Sequence, residues 1–238
     1  MKIAILGYGR MGKAIEILAK ERGHDVVAII DNENEWHTTD LSAADVAIDF
    51  SQPHCAVDNI GKCFNSHLPI VVGTTGWYDS LQEIIDRCNQ QGQTLFVASN
   101  FSIGMNMMFE LNQRLAKMMK GRTEYTASIT ETHHIHKLDA PSGTAITLAK
   151  DIIENNDDFH NWELTTTTNP SAGILPITSI RQGEVPGIHE VVYDSPIDTI
   201  TIRHEAKNRQ GLAMGAILAA EYVIGRKGYF TMHDLIKR

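Results

Sequence analysis

Cysteine is scarce in this 238-residue sequence, which contains three. Cys55, Cys63 and Cys88 are odd in number, and no two of them form a C-x-x-C pair. A disulfide framework needs an even set of cysteines, and a zinc knuckle needs closely spaced pairs. The pattern therefore favours reduced, structural thiols.

Basic runs and long apolar runs are also missing. No run of lysine and arginine exceeds two residues, and the formal net charge is −8. Nucleic acids and anionic membranes attract basic surfaces, so we expect a small-molecule partner, with no nucleic acid and no membrane. The opening MKIAILGYGR has an apolar run of only four residues after Lys2, too short for a signal-peptide core. We therefore expect a cytoplasmic protein.

Apolar segments alternate with amphipathic ones over the first hundred residues. Helices are predicted over 53–66 and 78–91, beside the helix that follows the first strand. The segments typical of strands buried on both faces are KIAIL (2–6), DVVAIID (25–31), VAIDF (46–50), PIVVGTTG (69–76) and TLFVAS (94–99). Such alternation predicts a mostly parallel sheet with right-handed crossovers.

The pattern changes after Ser99. A longer helix is predicted over 104–120, and the later strands alternate polar with apolar residues, as in a sheet with one exposed face. These strands are YTASITET (125–132), ITSIR (177–181), HEVVY (189–193) and DTITIRHE (198–205). An exposed sheet face of this kind is a candidate subunit interface.

The predicted fold is therefore α/β with two domains. The first is an N-terminal Rossmann-like dinucleotide-binding domain that comprises residues 1–103 plus 211–238. The helix predicted over 211–225, which is rich in small residues, belongs to this domain. Residues 104–210 form a second α+β domain, built on a mixed or antiparallel sheet, for substrate binding and oligomerisation.

A glycine-rich loop follows the first predicted strand. Gly7-Tyr8-Gly9-Arg10-Met11-Gly12 has the G-x-G-x-x-G spacing and opens a helix, and Asp31 lies nineteen residues after Gly12. In a dinucleotide site these glycines permit a tight turn, close approach of the pyrophosphate, and close packing of helix on strand. The context predicts a dinucleotide cofactor.

Asp31 bears on which dinucleotide binds. Its carboxylate would accept hydrogen bonds from the adenosine ribose and repel a 2′-phosphate, which favours NADH. Arg10 or Lys13 could offset a phosphate, so NADPH stays open, and Asp31 could instead be a solvated residue of an acidic loop.

Two further segments follow predicted strands. GTTG (73–76) and ASNF (98–101) fall at carboxyl ends of the sheet, where open parallel sheets bind ligands. Plain turn chemistry is the alternative explanation.

The stretch THHIHKLDAPSGTA (132–145) concentrates three histidines and a lysine. On a strand, His134 and His136 would share one face and His133 the other, so the three would not converge. The Lys137 cation would also disfavour a dication, and we predict no metal. Proton donation by histidine and anion binding by lysine are the favoured interpretation, with a solvated polar loop as the alternative.

The same stretch continues into a helix start. Pro141 and Ser142 precede helical periodicity, so the N–H groups of Gly143 and Thr144 lie in a first turn without helical partners. We expect an anion pocket there.

Together these motifs resemble those of the 4-hydroxy-tetrahydrodipicolinate reductases of bacterial lysine and diaminopimelate biosynthesis. The segments that carry the resemblance span nearly the whole chain: GRMG (9–12), GTTG (73–76), ASNFSIGMN (98–106), ETHHIHKLDAPSGTA (131–145) and HEAKNRQGLAMGAILAAEYV (204–223). The resemblance implies that NADH or NADPH reduces a cyclic dicarboxylate imine to tetrahydrodipicolinate, with loss of the 4-hydroxyl as water. It also implies a homotetramer joined through the second domain's sheet.

The resemblance also implies roles for individual residues. His133 would donate the proton, and Lys137 would assist and bind substrate. Further substrate contacts would come from His134, Ser142, Gly143 and Thr144. The implied cofactor contacts are Gly7, Tyr8, Gly9, Arg10, Met11, Gly12, Asp31, Gly73, Thr74, Thr75, Ala98, Ser99, Asn100 and Phe101. No role is implied for His136.

The chain departs from the family's pattern in three places. The GYGRMG loop is one residue shorter than usual, Ile135 replaces a commonly basic residue, and PGIHE (186–190) stands where Gly-Glu-His is usual. The short loop leaves the cofactor preference open. Two other functions are the alternatives: an NAD(P)-dependent dehydrogenase of another amino or keto dicarboxylate, and a dinucleotide-binding redox sensor. A sensor would not need a proton donor beside an anion pocket.

Overall fold

The computed structural model describes residues 1–165, 171–208 and 210–237, without the side chains of residues 33, 34 and 37. The chain divides into two compact units, one comprising Met1–Ile103 and Gln210–Arg238, the other Gly104–Arg209. Within the described ranges, no helix combines the length and the apolar character that a membrane crossing requires.

The first unit alternates strands with helices. Its strands are β1 Lys2–Leu6, β2 Asp25–Ile30, β3 Val46–Asp49, β4 Ile70–Val72, β5 Thr94–Val97 and β11 Gly228–Phe230. Its helices are α1 Arg10–Glu21, α2 Glu33–Thr38, α3 Pro53–Asn65, α4 Leu81–Gln90, α7 Gln210–Val223 and α8 Met232–Ile236. The strands form one parallel sheet in the order β11-β5-β4-β3-β1-β2. This order confirms the predicted Rossmann-like fold.

The middle of this sheet is covered on both faces. Every residue of β3, β4 and β5 is buried, which explains why their sequences are apolar rather than alternating, apart from Asp49 and Thr94 at strand ends. On one face α7 packs very closely. A Cβ on Gly215 would lie 1.7 Å from the Phe101 carbonyl oxygen, so the small residues of α7 allow its backbone to approach the loop after β5.

The second unit has a mixed sheet and two long helices. Its elements are α5 Ile103–Met119, β6 Thr126–His133, α6 Gly143–Asn155, β7 Asn161–Leu164, β8 Ile174–Arg181, β9 Ile188–Asp194 and β10 Thr199–Glu205. The strand order is β10-β9-β6-β8-β7, with parallel pairing of β6, β8 and β7 and antiparallel pairing of β6, β9 and β10. The predicted mixed sheet is confirmed.

The two faces of this sheet differ in burial. Residues of α5 and α6 pack on one face in a core that includes Met108, Leu148, Ile129, Ile177 and Val191. On the other face, Ser128 and Thr130 of β6 lie beside Val192 and Glu190 of β9, and all four are only half-buried. The alternation in the sequence thus corresponds to one core face and one partly exposed face.

Four short elements are not predicted from the sequence: α2, β7, β11 and α8. Each has three to six residues, too few to display a helical or strand period, and β7 and β11 also lack the apolar run that marks the equally short β3, β4 and β5. A local signal existed for α2, since Asn32 and Glu35 form a capping box at its start.

Asp151 of α6 is a buried carboxylate in the second unit. Its Oδ1 accepts a hydrogen bond from Gln113 Nε2 of α5 at 2.9 Å, while its Oδ2 has no partner among the described residues. Burial, with Glu154 nearby, raises the pKa of Asp151 to about 6. The folded protein therefore disfavours the charged carboxylate.

We expect Asp151→Asn to stabilise the protein at pH 8 and to have a smaller effect at pH 5. The folded-state pKa lies above the unfolded value of about 3.9, so the folded state binds the extra proton and stability falls as pH rises through this interval. Thermal unfolding should show a Tm increase of about 2–4 °C at pH 8.

Asp157→Asn is the matched control, because the Asp157 side chain is 76% exposed and pairs with Lys120 at the surface. Its Tm change should be small. An Asp151→Asn effect that is equal at both pH values would contradict the titration of Asp151 in this interval.

Candidate active site

The glycine-rich loop connects β1 to α1. Gly7 has a φ of +87°, and a Cβ on it would lie 2.5 Å from the Phe50 carbonyl oxygen. A Cβ on Gly12 would lie 2.3 Å from the Gly7 carbonyl oxygen, whereas no described atom lies within 4 Å of a Cβ built on Gly9. Gly9 is the N-cap of α1 and offers no side-chain cap to its first N–H groups. The loop therefore fits a pyrophosphate at a helix start.

Asp31 directly follows β2 and faces this loop. Its Oδ1 accepts a hydrogen bond from the Tyr8 N–H at 2.6 Å, and its own N–H donates to Glu35 Oε2 at 2.5 Å. The exposed Asp31 borders a cleft of about 440 Å³ whose lining includes Gly7, Asp31, Asn32, Trp36, Ser51, His54, Asp58 and Lys62. The position of this cleft suits the adenosine end of a dinucleotide.

A second cleft, of about 280 Å³, lies on the other side of the loop. It brings Gly9, Arg10 and Met11 together with Gly73, Thr74 and Thr75, and Phe50, Ser51 and Pro53 complete its lining. Two motifs far apart in the sequence therefore share one cleft at the carboxyl edge of the sheet.

The segment Ala98–Phe101 follows β5 but lines neither cleft. Ser99 is exposed, Asn100 is half-buried, and Ala98 and Phe101 are buried. The Phe101 ring packs against Phe50 with centroids 5.6 Å apart. Ala98 and Phe101 therefore belong to the core and do not line either cleft.

Two residues at the end of β3 were missed by the sequence analysis. The Phe50 ring fills the space beside Gly73, where a Cβ would lie 2.3 Å from it. Asp49 is fully buried and accepts hydrogen bonds from the Ser51 N–H at 2.8 Å and Thr74 Oγ1 at 2.7 Å. Its other oxygen accepts from Asn59 Nδ2 at 2.9 Å. The available signal was their place at the carboxyl end of a buried strand.

In the second unit, β6 ends at His133. The chain then turns, with the Lys137 N–H donating to the His134 carbonyl at 3.1 Å, so strand alternation does not orient His134 and His136. Their ring centroids are 6.0 Å apart. His136 is exposed and its Nε2 lies 3.2 Å from Glu184 Oε1, an exposed pair of the kind that contributes little to stability.

Lys137 is paired within the same turn. Its Nζ donates to both carboxylate oxygens of Asp139 at 2.8 Å, and this hydrogen bond lowers the pKa of Asp139. Arg181 Nη2 donates to the Asp139 carbonyl at 2.7 Å. The Asp139 carboxylate therefore holds the Lys137 ammonium in place, and Arg181 holds Asp139.

Helix α6 begins at the predicted place. Ser142 is its N-cap, and Ser142 Oγ accepts a hydrogen bond from the Ala145 N–H at 3.2 Å. Gly143 is exposed, and no described atom lies within 4 Å of a Cβ built on it, while Thr144 is half-buried. The start of this thirteen-residue helix is therefore open to an anion.

His133 lies in a buried polar network centred on Glu131. Glu131 Oε2 is hydrogen-bonded to His133 Nδ1, and Oε1 accepts from Arg181 Nη2 at 2.9 Å and from the Ser142 N–H at 3.3 Å. Burial alone would raise the pKa of Glu131, but the hydrogen bonds from His133 and Arg181 outweigh it and lower the pKa to about 2. The carboxylate is therefore charged at neutral pH.

His189 of β9 adjoins this network. Its ring centroid is 5.1 Å from that of His133, and its Nε2 lies 3.2 Å from Ser142 Oγ. Burial, reinforced by the neighbouring His133, lowers the pKa of His189 to about 4. His189 is therefore neutral at physiological pH.

No role is predicted from the sequence for Glu131, Arg181 or His189. Glu131 could have been found, because residues two apart on a strand share a face and Glu131 precedes His133 by two. Arg181 and His189 reach the network through the pairing of β8 and β9 with β6, which local sequence does not reveal.

Glu131, His133 and His189 also form one group of described residues whose potential metal-ligating atoms lie within 4.8 Å of one another. Two features favour a hydrogen-bonded network over a metal centre. Both Glu131 oxygens already accept hydrogen bonds, and one of the donors is the Arg181 guanidinium, whose charge would repel a dication.

Two protein-family models match the chain. The model described as "Dihydrodipicolinate reductase, N-terminus" matches residues 1–101, and that described as "Dihydrodipicolinate reductase, C-terminus" matches residues 104–236.

Named relatives are similar over almost the full length. The 4-hydroxy-tetrahydrodipicolinate reductase of Christiangramia forsetii is 48% identical over 236 residues, which cover 99% of this chain and 98% of that protein. The reductase of the same name from Staphylococcus aureus strain Newman is 34% identical over 248 residues, covering 99% of this chain and all of that protein.

A solved structure has the same fold. The dipicolinate-bound dihydrodipicolinate reductase from Paenisporosarcina sp. TG-14 aligns with a TM-score of 0.79 at 24% sequence identity, covering 97% of each chain. At this identity the likeness concerns the fold alone.

Proposed function

The chain belongs to the dihydrodipicolinate reductase family, and on that premise we propose which of its residues perform the reaction. It reduces 4-hydroxy-tetrahydrodipicolinate to tetrahydrodipicolinate in lysine and diaminopimelate biosynthesis, as the sequence predicts. When bound, the nicotinamide dinucleotide supplies a hydride; a proton is also consumed, and the 4-hydroxyl leaves as water. The chain's own residues must hold the dinucleotide and two carboxylates and supply that proton.

We assign the proton donor to His133. The observation that carries this assignment is the Glu131 carboxylate on His133 Nδ1, since it leaves Nε2 as the ring atom that can exchange a proton with substrate. Histidine is suited to this task because it changes charge near neutral pH. Ser142 connects the same network to the start of α6.

The substrate carboxylates are assigned to the start of α6 and the turn after β6. The first-turn N–H groups at Gly143 and Thr144, with the Ser142 hydroxyl, suit one carboxylate. Lys137 would hold a carboxylate in place of Asp139 and assist protonation, and half-buried His134 adds a further polar contact.

We expect His133→Ala to lower kcat by roughly a hundredfold or more while leaving dinucleotide affinity unchanged, because the change removes a general acid. The rate is measured as oxidation of the reduced dinucleotide with freshly formed condensation product of pyruvate and aspartate semialdehyde. Dinucleotide affinity is measured separately by fluorescence titration.

His136→Ala is the matched control, since His136 lies three residues away but is exposed and pairs with Glu184. Its kcat should stay near that of the wild type. We assign no metal to the reaction, so a chelator should not change either rate. An unchanged kcat in His133→Ala would remove this residue from the mechanism.

The first unit is the proposed dinucleotide-binding domain. Gly7–Gly12 would hold the pyrophosphate, and Gly73–Thr75 with Arg10 and Met11 would line the cofactor beyond it. The predicted contacts from Ala98–Phe101 would come chiefly from Ser99 and Asn100, because the other two residues are buried.

The charged residues that line the proposed adenosine cleft favour NADH over NADPH. Asp31 and Asp58 line this cleft together with Lys62, whose ammonium already pairs with Asp58 at 2.7 Å. Arg10 lines the other cleft, and Lys13 Nζ lies over the Tyr8 ring at 5.7 Å. A 2′-phosphate would therefore meet Asp31 without a free cation among the described lining residues.

We expect Asp31→Ala to raise KM for NADH by roughly tenfold, the loss of a charge-assisted hydrogen bond, and to leave KM for NADPH unchanged or lower. Steady-state kinetics with each dinucleotide measure the effect. Asp40→Ala, which removes an exposed acid outside this cleft, should leave both constants unchanged. Equal increases for NADH and NADPH would mean that Asp31 does not contact the ribose.

We assign a homotetrameric interface to the partly exposed face of the second unit's sheet. Its central residues are half-buried and mix apolar with polar side chains, as subunit interfaces do. Val192 lies near the middle of this face, beside Ser128 and Thr201 of the neighbouring strands.

We expect Val192→Lys to reduce the particle mass in sedimentation velocity below four chain masses, because a lysine would be buried between subunits. Met118→Lys is the matched control, since Met118 is 72% exposed on α5, which covers the opposite face of the sheet. A tetramer that survives Val192→Lys, or a wild-type protein that is not tetrameric, would contradict the assignment.

A further inference from the structure

We propose that Glu131 is a positioning residue for the reduction: it fixes the His133 ring with its proton on Nδ1 and so directs Nε2 toward the substrate. This inference rests on the proposed role of His133. It is carried by the contacts of the buried Glu131 carboxylate, a group to which the proposed function assigns no contact with substrate.

The donors around Glu131 require a side chain that only accepts hydrogen bonds. His133 Nδ1, Arg181 Nη2 and the Ser142 N–H all point at its two oxygens, and the carboxylate has no exposed surface. An ionised carboxylate only accepts hydrogen bonds, so it satisfies every one of them. A neutral amide of the same shape would turn an NH2 group toward Arg181 or toward His133.

The arrangement determines which nitrogen of His133 carries the proton in the neutral ring. Nδ1 faces an acceptor, so Nδ1 carries the hydrogen and Nε2 keeps the lone pair. When Nε2 is protonated as well, the Glu131 charge stabilises the imidazolium that donates to substrate. The Glu131 carboxylate therefore stabilises both the neutral His133 ring with its proton on Nδ1 and the imidazolium.

Gly187 lies near the other nitrogen of the His133 ring. A Cβ on Gly187 would lie 3.1 Å from His133 Nε2, so the absence of a side chain there leaves Nε2 uncrowded. Arg181 Nη2 donates to the other Glu131 oxygen and also to the Asp139 carbonyl, which lies in the turn after β6. Glu131 therefore cannot move away from His133 without breaking this second contact.

The test combines kinetics with ring NMR. Glu131→Gln should lower kcat about 10- to 100-fold, the range typical when a metal-binding histidine loses its orienting partner, with KM for the dinucleotide unchanged. Because both residues act through one proton transfer, adding Glu131→Gln to His133→Ala should cause little further loss. The 15N shifts of the neutral His133 ring should show the proton on Nδ1 in the wild type and a shift toward Nε2 in Glu131→Gln.

Glu184→Gln is the matched control, because Glu184 also contacts a histidine of this stretch, but at the exposed His136. Its kcat and its His133 ring shifts should equal those of the wild type.

The outcomes separate this inference from the proposed function. A silent His133→Ala would overturn the proton-donor assignment itself. A reduced His133→Ala rate with normal kcat in Glu131→Gln, or fully additive losses in the double variant, would overturn the positioning role alone. If Glu131→Gln fails to fold, the wild-type spectrum still decides, since a neutral His133 ring protonated on Nε2 refutes the proposal and one protonated on Nδ1 supports it.

Discussion

The Glu131 carboxylate has no exposed surface, and it remains charged because donors from three segments of the chain converge on it. Its pKa of about 2 reflects hydrogen bonds that outweigh the cost of burial. Removing one donor would leave a buried charge poorly satisfied, which costs far more than a surface ion pair. The end of β6, the end of β8 and the start of α6 are therefore held in one arrangement, and the proposed substrate site lies at two of these segments, the start of α6 and the turn that follows β6.

The first unit uses a buried carboxylate in a similar way. Asp49 has no exposed surface and accepts hydrogen bonds from Ser51, Asn59 and Thr74. These contacts connect the ends of β3 and β4, where the 280 Å³ cleft lies. In each unit, the residue that organises the loops differs from the residues proposed to touch ligand. Ligand-binding loops thus gain rigidity from groups that stay out of solvent.

More of the fold than of the candidate site could be predicted from the sequence. The continuous apolar runs identified the parallel strands, because a strand buried on both faces needs no polar positions. The glycines of the first loop were recognised by their spacing, and the structure supplies the steric reason at Gly7 and Gly12. The histidine stretch was placed at the end of a strand, but its turn could not be derived, since strand alternation ceases after His133.

The sequence by itself determined the fold class, the family, and the chemical character of the two proposed sites, because these depend on local periodicity and on motifs contiguous along the chain. Tertiary structure alone decided that Arg181 and His189 stand beside His133, that Phe50 fills the space next to Gly73, and that the Asp58–Lys62 pair of α3 lies in one cleft with Asp31. The physical reason is that strand order and register bring together residues distant along the chain. Periodicity states which face of a strand is buried, but not which strand lies next to it.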